Sequence, residues 1–234
     1  MQTFSAIREA LSDPGILGAL WLTVKTCLIA GVGFALFGPL LAWWFARRPG
    51  ALSRVASFVT TLPLVFPPVA LGYLLLVLLG RYGWIGSWLY EAGIYLIFTP
   101  ASVALAGFIA GLPLVIKPIQ TALESRRLRA IEFAGAVHGA DALTILRRIT
   151  LPYVQPQILS GLLLGVSRAS GEVGITMMVG GNLSGKTNTL SLEIFNAVSR
   201  ADFDAAAALC LVLSVFTIVV FAVLEAIRRR TPTE

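Results

Sequence analysis

The sequence predicts an all-α polytopic membrane protein with about five transmembrane helices, and two observations carry that expectation. The first is composition: 57% of the 234 residues are hydrophobic, only 13% are charged, and the mean hydropathy is +0.84. A water-soluble domain carries about a quarter charged residues, so most of this surface must face a medium other than water. The second is grouping. Thr26 to Ala46, Val55 to Gly80, Ile94 to Ile116 and Ala205 to Leu224 contain no charged side chain. Each is about the 20 residues needed to cross the hydrocarbon core of a bilayer. A fifth run, Gln155 to Val179, is as long but contains Arg168 and Glu172.

Taken in order, the expected helices cover roughly 17–46, 55–80, 94–117, 155–179 and 204–227, in one transmembrane domain spanning 1–234. The first run exceeds the roughly 7–15 residues of a signal-peptide core and ends in Arg47-Arg48, so it reads as a retained span. The second carries Pro63, Pro67 and Pro68, breakers that lipid tolerates where neighbouring helices satisfy the freed backbone groups. After it, Tyr82, Trp84, Trp88 and Tyr90 cluster beside Arg81, as in a short interfacial helix with an aromatic belt. Cys27 and Cys210 both fall in apolar runs without metal-site spacing, and the single histidine, His138, stands in a loop. No metal site, cofactor or catalytic set is expected.

The basic residues give a topology. Arg47, Arg48 and Arg54 lie between the first two runs, and Lys117, Arg126, Arg127, Arg129, Arg147 and Arg148 between the third and fourth. With Arg228, Arg229 and Arg230 after the fifth, these are twelve of the eighteen Lys and Arg residues. The positive-inside rule places these segments in the cytoplasm, with the N-terminus outside and the C-terminus inside. The net charge of +6 is then a topology signal whose partner is membrane lipid, not nucleic acid.

Segment 119–152 differs from the runs around it. Glu124, Arg126, Arg127, Arg129, Glu132, Asp141, Arg147 and Arg148 alternate in sign, and Leu123, Ile131, Ala134 and Val137, then Leu143, Ile145, Leu146 and Ile149, suggest two amphipathic helices separated at Gly139. An exposed amphipathic pair should dock onto a partner, and the small residues Ala134, Gly135, Ala136 and Gly139 allow close approach. The spacing Ala134-Gly135-x₃-Gly139-x₉-Ile149-x-Leu151-Pro152 resembles the EAA loop of ABC-importer permeases. Phe133 stands where that loop has its acidic residue, Glu132 lies one position earlier, and Gly135 replaces the second alanine. Which carboxylate meets the ATPase is therefore open. The stretches Thr61 to Tyr73, Gly80 to Gly86 and Ser167 to Gly174 are similar to those of molybdate (ModB-like) permeases, so the likeness covers roughly 17–227.

That resemblance implies the type I ABC-importer permease fold in a prokaryotic plasma (inner) membrane. It also implies a coupling loop built on Glu132, Ala134, Gly135, Gly139, Asp141, Ile149, Leu151 and Pro152. The implied partners are two copies of an ABC ATPase subunit, a substrate-binding protein and a second copy of this chain. Molybdate is the first cargo expected, with tungstate and sulfate or thiosulfate as alternatives.

Two features need separate readings. Arg168 and Glu172, with Ser170 and Gly171 between them, are four apart and so share a helix face. Charges at membrane depth cost at least about 2.5–3.5 kcal/mol each and turn inward. They are either a mutual ion pair or a gate on the pathway. An ion relay in a secondary transporter is the rival function, although such transporters show internal repeats that this chain lacks. Gly180 to Thr187 matches the phosphate loop G-x₄-G-K-[ST], yet it follows a membrane run instead of a strand and falls on the outer side. We read it as a mobile, glycine-rich outer loop near the docking site of the binding protein. On this reading the chain is a transport subunit without its own ATPase site.

Overall fold

The computed structural model of the chain describes residues 13–48 and 50–230; Arg8 and the N-terminal segment lie outside the described residues. Among the described residues every regular element is helical. Helix α1 (Pro14–Arg47) starts where Asp13 accepts from Gly15 N at 2.7 Å, with Pro14 in the first turn, where its missing N–H costs nothing. The second run is two half-helices, α2 (Ala51–Val65) and α3 (Pro68–Leu79). Phe66 is extended because it precedes Pro67, and Pro68 then opens α3. A short helix, α4 (Gly86–Glu91), stands where the interfacial helix was expected, with the Arg81 guanidinium 4.5 Å from the Tyr90 ring centre.

Helix α5 (Pro100–Glu124) is the central element and packs chiefly on α1 and on α7 (Ala142–Ser170). Four described helices are long and apolar enough to cross a membrane: α1, α5, α7 and α10 (Phe203–Arg230, of which Phe203–Val223 forms the candidate span). The interrupted pair α2 and α3, where a fifth span was expected, consists of two shorter apolar helices of 15 and 12 residues. The third run differs from expectation at its start and end. Residues 94–99 lie outside the helix, and α5 continues past Lys117 to Glu124, so this lysine sits within the helix and not in a loop.

The fourth run departs most. A single helix over 155–179 is not formed: α7 stops at Ser170, Gly171 caps it, and a new helix, α8 (Gly174–Gly180), begins three residues later. Helix α9 (Leu190–Ser199) follows, packed on α10 and α1, while α8 packs on α3 and α5. The apolar character of 171–179 therefore comes from burial against protein. Run length alone cannot distinguish that from burial in lipid.

The core forms where α1, α5 and α7 cross. Phe34, Val115, Ile116 and Ile119 are essentially inaccessible, and the Phe34 ring stacks on Phe108 at 5.4 Å. The crossing is close because Gly111 and Gly165 face each other. A Cβ on Gly111 would lie 2.6 Å from the Gly165 carbonyl oxygen and 2.5 Å from Phe34 Cζ. Small residues at such crossings let helix backbones approach where lipid offers no hydrophobic drive. Gly111→Val is therefore expected to cost about 3 kcal/mol, the upper end of overpacking because backbone must move. A lowered thermal midpoint of the detergent-solubilised protein checks this, and an unchanged midpoint contradicts the crossing.

Candidate functional site

At the end of the bundle where α1 finishes, helix α6 (Arg126–Val137) lies across the ends of α1, α5 and α7. Ser125 caps it by accepting from Leu128 N at 3.3 Å, and Leu128 is fully buried as its apolar anchor. Glu132 faces the bundle. Its Oε1 accepts from Arg47 Nη2 at 2.5 Å and from Thr150 Oγ1 at 2.6 Å, joining α6 to α1 and to α7. A carboxylate committed to two internal donors is a fixed strut, so Glu132 is not the acidic group that α6 presents outward.

What α6 presents outward is apolar. Phe133 is 72% exposed and Val137 68%, and Leu143 in the first turn of α7 is half exposed. The two glycines expected to admit a partner also have roles within this chain. A Cβ on Gly135 would lie 2.8 Å from Ile149 Cδ1, so Gly135 lets α6 approach α7 within this chain. Gly139 has φ +85°, the left-handed backbone that ends a helix and favours glycine. Ala134 stays exposed. Asp141 is exposed at the start of α7, and hydrogen bonding from the Thr144 side chain holds its carboxyl below the usual carboxylate range.

The second amphipathic helix of the loop is not separate. Residues 142–150 are the first turns of α7, with a π turn at Leu146–Thr150. Pro152 explains it. In an α-helix its ring would meet the carbonyl four residues back, and the widened turn before it, where Leu151 N bonds to Leu146 O, relieves that crowding. Leu151 and Pro152 are exposed, and Ile149 is half buried under Gly135.

At the other end, Arg168 Nη1 and Glu172 Oε2 are 2.5 Å apart. Glu172 lies beyond the last turn of α7 and is buried, with its Oε1 accepting from Ile175 N at 2.7 Å in the first turn of α8. One carboxylate thus closes the last turn of α7 and opens α8. Ser170 and Gly171 form the turn itself: the Ser170 hydroxyl donates to Ser167 O at 2.9 Å. The Arg168 side chain keeps 32% exposure.

The glycine-rich stretch 180–187 is tied rather than loose. Thr187, fully buried, donates to Gly180 O at 2.7 Å and accepts from Leu183 N at 2.9 Å. Asn182 and Asn196 exchange amide hydrogen bonds at 2.7 and 3.3 Å. The stretch follows a helix, and its threonine hydroxyl is spent inside the turn, whereas a phosphate loop follows a strand and offers that hydroxyl to a metal.

Sequence reading missed the Arg47–Glu132–Thr150 connection and a contact between Lys117 and Ser57. The only available signal was complementary charge at the ends of two runs on one side.

The chain matches the family of binding-protein-dependent transport system inner membrane components over residues 38–232. It is 37% identical over 223 residues to a molybdenum transport system permease protein of Mycobacterium tuberculosis, covering 95% of this chain and 82% of that one. To the molybdenum permease protein of Azotobacter vinelandii it is 32% identical, over 91% of this chain and 94% of the relative. A sulfate transport system permease protein of Synechocystis is also 32% identical, over 95% and 80%. A crystal structure of a bacterial ABC transporter that imports alginate superposes with a TM-score of 0.75 at 19% identity, covering 99% of this chain and 84% of that one. At that identity the superposition bears on fold alone.

Proposed function

The chain belongs to the family of binding-protein-dependent transport system inner membrane components, and from that premise we propose that it is the pathway-forming subunit of an ATP-driven oxyanion importer with molybdate as cargo. The observation that carries the reading is the outward apolar face of α6, Phe133 and Val137, fixed to the spans through Glu132. A mostly exposed phenylalanine on a polar helix outside the membrane calls for a protein partner, and a separate ATPase is the partner such an importer requires. Two ATPase copies closing on two such faces would move α6 and, through its struts, rock α1 and α7 between outward- and inward-facing states.

A second copy of this chain completes the pathway on this reading. Helices α2 and α3 leave Val55, Phe58, Val65 and Tyr73 more than half exposed, and Arg168 is partly exposed at membrane depth. An arginine there is expected to face protein or water, not lipid. The substrate-binding protein docks at the end carrying α4 and 180–189. The orientation follows the positive-inside distribution, with the N-terminus outside and α6 in the cytoplasm. Arg168 and Glu172 act as a structural pair that fixes the turn between α7 and α8.

Sulfate is the second reading of the cargo, favoured by the sulfate permease at the same identity as one of the molybdenum permeases. The test is uptake of labelled molybdate, tungstate and sulfate into proteoliposomes holding this chain, the ATPase and the binding protein. ATP-dependent molybdate accumulation is expected. Uptake by this chain alone under an ion gradient would instead make it a secondary transporter. In the same complex Lys186→Ala is expected to leave ATP hydrolysis unchanged, because the phosphate-loop match is internal turn structure; loss of hydrolysis would overturn that assignment.

A further inference from the structure

Lys117 has no part in the coupling region or the Arg168–Glu172 turn, yet it lies inside α5 about two turns before Glu124. A lysine near a membrane helix end usually extends along its own helix toward the headgroups. Here Nζ instead donates across to Ser57 Oγ of α2 at 3.2 Å. Arg54, Ser57 and Thr61 recur at helical spacing and share one face of α2. That face and Lys117, Gln120 and Glu124 of α5 line an open cleft of about 500 Å³.

The donor inventory of the cleft is one-sided. Lys117 has given one of its three N–H groups to Ser57, and Ser57, accepting there, keeps its own hydroxyl proton free to donate. Arg54 adds the five-donor guanidinium fork. Among the described residues neither cation has a carboxylate within 4.0 Å. Thr61 contributes no donor, since its hydroxyl is bonded to Ser57 O at 2.6 Å. The acceptors, Glu124 and the Gln120 oxygen, lie one to two turns farther along α5, where Gln120 Nε2 donates to Glu124 Oε1 at 2.9 Å. Two uncompensated cations and a free hydroxyl donor, facing an open space beside a membrane, fit a tetrahedral oxyanion group.

We propose that the α2–α5 cleft binds a tetrahedral oxyanion group through Lys117, Arg54 and the Ser57 hydroxyl. Two sources supply that chemistry: the transported oxyanion leaving the pathway, and the phosphate of an anionic phospholipid. The first rests on the function proposed above, whereas the second does not. Binding is weak and salt-sensitive, because the cleft is open and screened and a transported ion must leave as readily as it enters.

Lysine footprinting of the wild-type permease–ATPase complex in nanodiscs tests this, since Lys25 and Lys186 are the only other lysines and serve as internal controls. In phosphatidylcholine discs without binding protein, acetylation of Lys117 is followed under molybdate and under chloride of equal ionic strength. A second arm replaces molybdate with phosphatidylglycerol in the disc. Lys117 is expected to react about five-fold more slowly, equivalent to about 1 kcal/mol, in at least one arm, and that arm identifies the source. Arg54→Gln should remove the protection while the complex still assembles. Equal Lys117 rates in all conditions, or protection that survives Arg54→Gln, would overturn the site; the wild-type comparison decides even if the variant does not fold. Parallel uptake measurements separate the two failures. Uptake without protection sinks the cleft alone, whereas protection by phosphatidylglycerol with no oxyanion uptake sinks the transport reading and leaves a lipid site.

Discussion

Replacing Glu132 with alanine is expected to uncouple ATP hydrolysis from uptake. The carboxylate holds Arg47 and Thr150 with one oxygen, and the ion-paired side chains are 24% and 15% exposed. Its removal leaves a mostly buried guanidinium without its carboxylate and the buried Thr150 hydroxyl with only a long contact to Ile145 O at 3.4 Å. Fully buried pairs cost 3–5 kcal/mol to break; with partial exposure about 2–3 kcal/mol is the better figure. A loss of that size shifts the linked equilibrium by at least about tenfold. The ratio of oxyanion transported to ATP hydrolysed should therefore fall by about an order of magnitude, while the complex still assembles through the untouched outer face of α6. Glu132→Gln, which keeps an acceptor for Thr150, should lose less. Equal ratios in wild type and alanine variant would remove Glu132 from the coupling path.

The second large effect is expected at Phe133. Because this ring is mostly exposed, Phe133→Asp should change folding by no more than about 0.5 kcal/mol. At a docking face it would place a charge where an apolar anchor belongs, and loss of such an anchor costs about 2 kcal/mol or more. ATPase association should weaken about 30-fold, measured by titrating the ATPase onto the permease in nanodiscs, with membrane insertion intact. Unchanged association would move the interface away from α6. The two variants separate docking from transmission: Phe133→Asp loses the partner, whereas Glu132→Ala keeps it and wastes its work.

These predictions turn on adjacent residues that the sequence treats alike. The loop spacing identifies 132–133 as the place where the family pattern has its acidic residue, but it does not say which residue faces out. A helix turns 100° per residue, so neighbours point in different directions. Only docking of α6 on α1 and α7 decides that Glu132 is internal and Phe133 external. The same holds for the small residues: composition marks Gly135 and Gly139 as permissive, while packing assigns one to Ile149 and the other to a left-handed turn.

The sequence by itself determined the solvent and the economy of the fold. Run length and charge depletion require passage through a membrane, because the hydrocarbon core sets a length that composition must match, and the spacing from Gly139 to Pro152 marks the loop for which we propose the coupling role. The tertiary structure decided where an apolar run is one helix or two. The break after Ser170 depends on Glu172 closing α7 against Arg168 while capping α8, and apolar residues read the same against lipid or protein. It also decided which charges meet. Arg47 finds Glu132 across 85 positions, and Lys117 finds Ser57 across 60. Pairings at that distance follow from helix packing, whereas local spacing specifies only the face from which each side chain starts.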